Sequence, residues 1–291
     1  MTAKDYMLRF PNDAFTKSAF LGCARQGRTA GAVEEIDVSV GYGDRGGIVI
    51  DFGGDGRECK LHHLDLSVLA AISAIAGKGR PDVPINSILE SFGYANPRAA
   101  SMSGTAGLVK RSVEKMTRVH VEMPAVHASD GGLLYPGVAR TPVISGELSG
   151  DALHLACDRG KPTEALPFLA RAQQMRQVVG VTREQMPCFS GRRVALAQRQ
   201  LALYLAVRVL ERHTSNTVLV ETLFRSVGID FAADGAGSRR KSRCLAQLRS
   251  TLESMAEQGA VISAYEFERA RADNSVRAIV LTPARRHGKH R

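Results

Sequence analysis

The 291-residue sequence predicts an α+β protein in which one module, three helices followed by a β-hairpin, occurs twice in tandem. Two stretches, one beginning near Asp65 and one near Val194, show helical periodicity three times in succession and then strand-like alternation. Glycines and capping residues punctuate both stretches at corresponding places. The formal net charge of +10 is also divided unevenly: residues 192–291 hold 18 Lys and Arg against 9 Asp and Glu, whereas residues 1–191 hold 21 against 20. A length of 291 residues accommodates two domains of ordinary size, each able to bury a core.

In chain order, residues 1–32 are polar and irregular and are expected to form an arm. Ile36–Val40 and Ile48–Phe52 alternate as two strands joined by the glycine-rich segment Gly41–Gly47. That segment matches G-x-G-x-x-G at Gly41, Gly43 and Gly46. A dinucleotide site requires a helix to begin there, with its amides on the pyrophosphate, and a β-branched strand follows instead, so no cofactor is expected. A helix then runs from Asp65, placed to cap it, to Gly77, with Leu66, Leu69, Ala70 and Ser73 on one side. A short second helix covers Ser87–Phe92, capped at Asn86 or its neighbour and closed by Gly93. Ser103 is placed to cap the third helix, which buries Val109, Val113 and Met116 and turns Arg111, Lys115 and Arg118 outward. Val119–Met123 reads as a strand paired, across a Gly- and Pro-rich loop, with Pro142–Leu148.

Between the two copies, Thr163–Val179 reads as helical between Pro162 and Gly180. Val194–His213 is a strongly apolar helix, Val218–Ser226 a short one closed by Gly228, and Ser238 opens a long third helix stopped by Gly259. In that helix Leu245, Leu248, Leu252 and Met255 form the apolar stripe, and Arg240, Arg243, Gln247 and Ser250 lie opposite. Val261–Phe267 and Val276–Leu281 form the second hairpin around Arg269–Asn274. Helix, helix, helix, hairpin is the order of a winged helix. The expected organisation is an arm (1–32), a first winged-helix domain with an added N-terminal β-hairpin (33–155), a helical connector (156–193), a second winged-helix domain (194–284) and a basic tail (285–291).

A cationic excess gathered in one third of the chain draws polyanions to that third. Trp is absent and no basic helix carries a wide apolar face, which disfavours a membrane surface. Sixteen Phe and Tyr offer few stacking platforms for single strands, so duplex DNA is the expected partner. In a winged helix the third helix enters the major groove. The candidate contacts are therefore Ser103, Thr105, Lys110, Arg111, Lys115 and Arg118 in the first copy, and Ser238, Arg239, Arg240, Lys241, Arg243 and Gln247 in the second, with Arg269 and Arg271 from its wing.

Catalytic signatures are missing. The sequence contains no phosphate-binding G-x-x-x-x-G-K-[ST], no H-E-x-x-H and no G-x-S-x-G, and the adjacent His62 and His63 point opposite ways in an extended chain. Five scattered cysteines, Cys23, Cys59, Cys157, Cys188 and Cys244, suit reduced thiols rather than disulfides or a zinc site. No apolar run reaches the roughly 18–20 residues of a membrane span, and the first residues lack a signal core, so a cytoplasmic location and a non-enzymatic role without metal are expected.

Ile36-Asp-Val-Ser-Val-Gly-Tyr-Gly-Asp44 continuing to Ile48–Gly53, then Leu64–Gly77, resembles the RepC family, the iteron-binding replication initiators of IncQ-type plasmids. Ser238–Arg243 and Ala260–Phe267 resemble the far end of the same family, so the likeness extends over roughly residues 33–285. The resemblance implies an initiator that binds repeated origin sequences, helps open adjacent A·T-rich DNA and recruits a separate plasmid-coded helicase and primase. It places the DNA-reading face on Ser103–Arg118 and Ser238–Arg249. A homodimer joined through strand edges is compatible with this reading, and a transcriptional regulator built from the same modules is the alternative function.

Overall fold

The computed structural model describes residues 8–22, 33–41, 44–53, 60–77, 79–94, 104–158, 161–186, 196–211, 215–229, 238–272 and 274–284. The chain divides into two compact units, residues 1–180 and 181–291, and each combines helices with small antiparallel sheets.

The first unit is organised around α2 (His63–Ala76), in which twelve of fourteen residues are buried. A helix that is apolar on nearly every side must be covered on every side. Part of that cover comes from α3 (Ile85–Ser91) and α4 (Thr105–Arg118). Much of the rest comes from residues expected to form an arm. Within that segment Leu8–Pro11 forms β1, which packs on α2, and Phe10, Phe15 and Phe20 are fully buried. Asp13 starts the short helix α1 (Ala14–Lys17), its Oδ1 accepting from the amides of Phe15 (3.0 Å) and Thr16 (3.1 Å). These residues are core rather than arm because they cover an apolar flank of α2. Residues 1–7 and 23–32 lie outside the described residues.

The added hairpin is β2 (Val33–Gly41) and β3 (Asp44–Asp51), with Ile36 opposite Ile48. It extends into a four-stranded sheet of order β2-β3-β5-β8, where β5 is His120–Met123 and β8 is Val138–Pro142, and Val121 stands opposite Thr141. A Cβ at Gly46 would lie 2.6 Å from a Val126 methyl and 2.8 Å from the Phe15 ring. Close packing on the hairpin therefore accounts for that glycine of the G-x-G-x-x-G match. Val126–His127 (β6) pairs with Leu133–Tyr135 (β7) in the loop between β5 and β8.

Two further expectations for the first unit are corrected, and one unexpected strand is added. Pro142–Leu148 is not one strand: β8 ends at Pro142, and Gly146–Ser149 (β9) turns back as a separate hairpin with Ala152–Leu155 (β10). Asp82–Pro84 is a short strand, β4, that lies beside β10 in a sheet of order β4-β10-β9. Thr163–Val179 is not one helix. Residues 162–180 contribute a 3₁₀ turn (Pro162–Ala165), α5 (Pro167–Gln174) and most of β11 (Val178–Val181), which pairs with β1. Pro162 and Pro167, each at a first-turn position, divide the periodic stretch. Arg171 of α5 is 2% exposed, its guanidinium 3.7 Å from the Phe15 ring centroid and 5.0 Å from that of Tyr135.

The second unit contains α6 (Leu196–Leu210), β12 (Thr217–Leu219), α7 (Val220–Ser226), α8 (Ser238–Gln258) and the hairpin β13 (Ile262–Arg269) and β14 (Val276–Pro283). Its sheet has the order β12-β14-β13, with Val218 opposite Ile279. The Gln258 amide at the end of α8 donates to the Met186 carbonyl (3.0 Å), which fastens residues beyond the turn Arg183–Gln185 to this unit. Residues 187–195 and the basic tail, 285–291, lie outside the described residues, as do Cys23, Cys59 and Cys188. Cys157 and Cys244 are free thiols. Among the described residues no helix is long and apolar enough to cross a membrane, and no three His, Cys, Asp or Glu are grouped to hold a metal ion.

Candidate nucleic-acid interface

The two units share an order of helix, three-residue strand, seven-residue helix and long helix, and each has a later hairpin whose second strand lies at the centre of its sheet; it follows the long helix directly in the second unit and after β5–β8 in the first. The agreement extends to single residues. Asp82–Gly93 and Thr217–Gly228 run in step, with Val83 matching Val218, Ile88 matching Leu223 and Ser91 matching Ser226. Each short helix ends at a glycine of positive φ, 83° at Gly93 and 84° at Gly228. The long helices present the same buried stripe, Thr105, Val109, Ser112, Val113 and Met116 in α4 and Cys244, Leu248, Thr251, Leu252 and Met255 in α8. Cys244, not Leu245, thus joins the apolar face of α8, and burial raises its thiol pKa.

The outward faces differ. Helix α8 has 21 residues against 14 in α4, and the stripe register sets Gly104 against Arg243. The additional N-terminal turns of α8 carry Arg239, Arg240, Lys241 and Arg243, all exposed, with no acidic residue in the first turn. A helix N-terminus already bears partial positive charge, so these cations reinforce an anion-attracting end. Gln247 is half-buried one turn further on. Glu253 and Glu257 are confined to the C-terminal half of α8.

Beside this helix stands a long hairpin. Arg269 and Arg271 are exposed near its tip, and Arg269 Nη1 donates to the Asn274 carbonyl (3.0 Å), so Arg269 also braces the turn. Exposed Arg277 on β14 was missed by sequence reasoning, although its alternation with buried Ala278 and Ile279 is the available signal. The Arg249 guanidinium lies 5.7 Å from the Phe267 ring centroid, linking α8 to β13.

In the first unit two of the four cations on α4 are engaged within the unit. Lys115 is not an outward contact: its ammonium lies 2.6 Å from Asp65 Oδ2 and donates to the Lys60 carbonyl at 2.8 Å. Asp65 is 1% exposed; it also accepts from the Ser112 hydroxyl (2.6 Å) and from the His62 amide (2.7 Å), so one carboxylate fastens the start of α2 to α4. Burial, and then the neighbouring Lys115, lowers the His62 pKa. Thr105, 7% exposed, is likewise withdrawn from the surface. Ser103 lies outside the described residues, and Gly104 occupies the position before the helix. The side chain of Ser238 is also outside them.

Lys110 forms an ion pair with Asp151, at the tip of the two-residue turn between β9 and β10. The first unit therefore has a short, acidic-tipped hairpin where the second has a long one that exposes Arg269, Arg271 and Arg277 beside Glu266 and Glu268. Arg111 and Arg118 remain exposed on α4.

Asp151→Asn is expected to release Lys110 and to remove a carboxylate that repels phosphate. Affinity for duplex DNA should rise about two- to fivefold, with a salt dependence steeper by roughly one contact. Unchanged affinity across a salt series would mean that this end of α4 meets no DNA.

No family model matches the chain, and a search of curated proteins finds no match. Among solved structures, domains 2 and 3 of RctB show a weak similarity, with a TM-score of 0.42 and 13% identity over 89% of this chain and 93% of that one.

Proposed function

We propose that the chain is a non-enzymatic, sequence-specific duplex-DNA-binding protein built from two winged-helix modules, with the second as the principal reader. The observation that carries this reading is the exposed cluster Arg239, Arg240, Lys241 and Arg243 in the N-terminal turns of α8, beside a hairpin bearing Arg269, Arg271 and Arg277. A helix fits the roughly 12 Å major groove, where arginine pairs with guanine O6 and N7, and adjacent cations hold phosphates. Arg269 and Arg271, near the hairpin's tip, are the residues that would grip backbone flanking that groove. Once α8 is seated, the tethered first unit meets DNA at high effective concentration, so a weaker reader suffices there.

The biological role that follows from the resemblance to RepC-type initiators is replication initiation. In this reading the protein binds repeated origin sites, the strain of binding opens an adjacent A·T-rich segment, and a separate helicase and primase are recruited. The test is a footprint of the full chain on its cognate origin together with permanganate reactivity of unpaired thymines. Protected repeats with reactive thymines alongside are the expected result. Tight binding at a promoter without thymine reactivity would replace initiation by transcriptional regulation, and an origin without protected repeats would sink the initiator role.

A further inference from the structure

The first unit carries a second cationic surface outside its long helix. A shallow open depression there is lined by Arg9 of β1, Gln173 and Arg176 at the end of α5, and Val178 and Gly180 of β11. Both arginines are exposed. Its floor is the β1-β11 strand pair, extended where the Asn12 amide donates to the Gln177 carbonyl at 2.9 Å.

Arg176 sits where a side chain is disfavoured. Helix α5 ends in a reversal in which the Arg176 amide donates to the Gln173 carbonyl (3.0 Å) and the Gln177 amide to that of Ala172 (2.8 Å). This places Arg176 in the left-handed region, with φ 54°. The glycines Gly93, Gly228 and Gly259, which follow α3, α7 and α8, have φ of 83°, 84° and 64°. Glycine takes that conformation without steric cost, whereas a side chain is strained there. An arginine retained in such a position, opposite a second arginine across a depression, points to a use for its charge.

We propose that Arg9 and Arg176 form a phosphate-binding site for the DNA backbone, giving the first unit a contact with duplex independent of α4. The inference rests on the DNA-binding reading above. The depression is open and shallow, which suits a passing backbone better than an enclosed small anion, and Gly180 on its floor permits close approach. It also answers a deficit. With Lys110 paired to Asp151 and Lys115 to Asp65, α4 offers Arg111 and Arg118 as its exposed cations.

The experiment uses the full chain and a duplex that it selects from a randomised pool, with affinity measured across a salt series and melting temperature recorded for each variant. Arg9→Ala and Arg176→Gly should each weaken binding about three- to tenfold, and together they should flatten the log–log salt slope by about two. Arg176→Gly should leave the melting temperature unchanged or raise it by about 2–4 °C, because glycine relieves the left-handed strain. Arg176→Lys should retain most of the affinity. Lower affinity accompanied by a melting temperature several degrees lower would make Arg176 a fold residue and overturn the proposal. So would inorganic phosphate raising the melting temperature through these arginines while DNA affinity stays at the parent value in both variants. Arg240→Ala and Arg243→Ala on the same duplex separate the two readings: losses there with none at Arg9 and Arg176 reject this site alone. A parent chain that selects no duplex rejects both.

Discussion

Replacing Arg240 and Arg243 together by alanine should lower affinity for the cognate duplex about 30- to 1,000-fold, while Arg111→Ala costs about threefold or less. Each arginine contact to a base edge or phosphate contributes about 1–3 kcal/mol, and two neighbouring contacts, being less than additive, together give roughly 2–4 kcal/mol. Both side chains are exposed in the N-terminal turns of α8, away from the stripe Cys244, Leu248, Thr251, Leu252 and Met255, so folding should be unaffected and circular dichroism unchanged. The salt series divides the roles. If both grip phosphate, the slope flattens by about two; if one reads a base, discrimination between matched and mismatched sites also drops. The imbalance between the units follows from where their charges are engaged. Asp151 and Asp65 hold Lys110 and Lys115 of α4, whereas Arg239, Arg240, Lys241 and Arg243 stand together and exposed at the start of α8. Comparable losses at Arg111 and at the α8 pair would remove the second unit from its place as principal reader.

The sequence made the long periodic helices and the final hairpin legible, because their apolar stripes are strong and glycines mark their ends. Three kinds of feature escaped it. Strands of three residues, Asp82–Pro84 and Thr217–Leu219, expose one or two apolar positions each, too few for any period to register. The β9-β10 hairpin did carry a signal, Gly150-Asp151 between Glu147-Leu148-Ser149 and Ala152-Leu153-His154, which is a two-residue turn inside an alternating run. Reading Pro142–Leu148 as the partner of β5 concealed it. The N-terminal segment was set aside as polar although Leu8 and Phe10, then Phe15 and Ala19, have strand and helix spacings. What made them core was a tertiary requirement, the cover of α2, which no local pattern records. The site shows the same limit. Lys115 shares the outward spacing of Arg111 and Arg118, and what turns it inward is Asp65, a residue distant in sequence.

That pairing sets up the largest expected effect on stability. Asp65→Ala should destabilise the first unit by about 3–5 kcal/mol, because a buried cation loses its counter-charge while the Ser112 hydroxyl and the His62 amide lose an acceptor. For a unit of this size the melting temperature should fall by roughly 10 °C. The loss belongs to the unpaired charge rather than to the absent carboxylate, and a double variant distinguishes the two. Asp65→Ala combined with Lys115→Met removes both charges and should recover at least half of the stability, since an apolar replacement for a buried ion pair is often neutral. Lys115→Met alone decides between the two placements of that lysine. An outward lysine would lose DNA affinity with melting unchanged, whereas an internal one loses stability and, measured below its melting transition, keeps its affinity within a fewfold of the parent chain. A single variant that melts like the parent but binds DNA tenfold more weakly would return Lys115 to the interface and break the electrostatic contrast between α4 and α8.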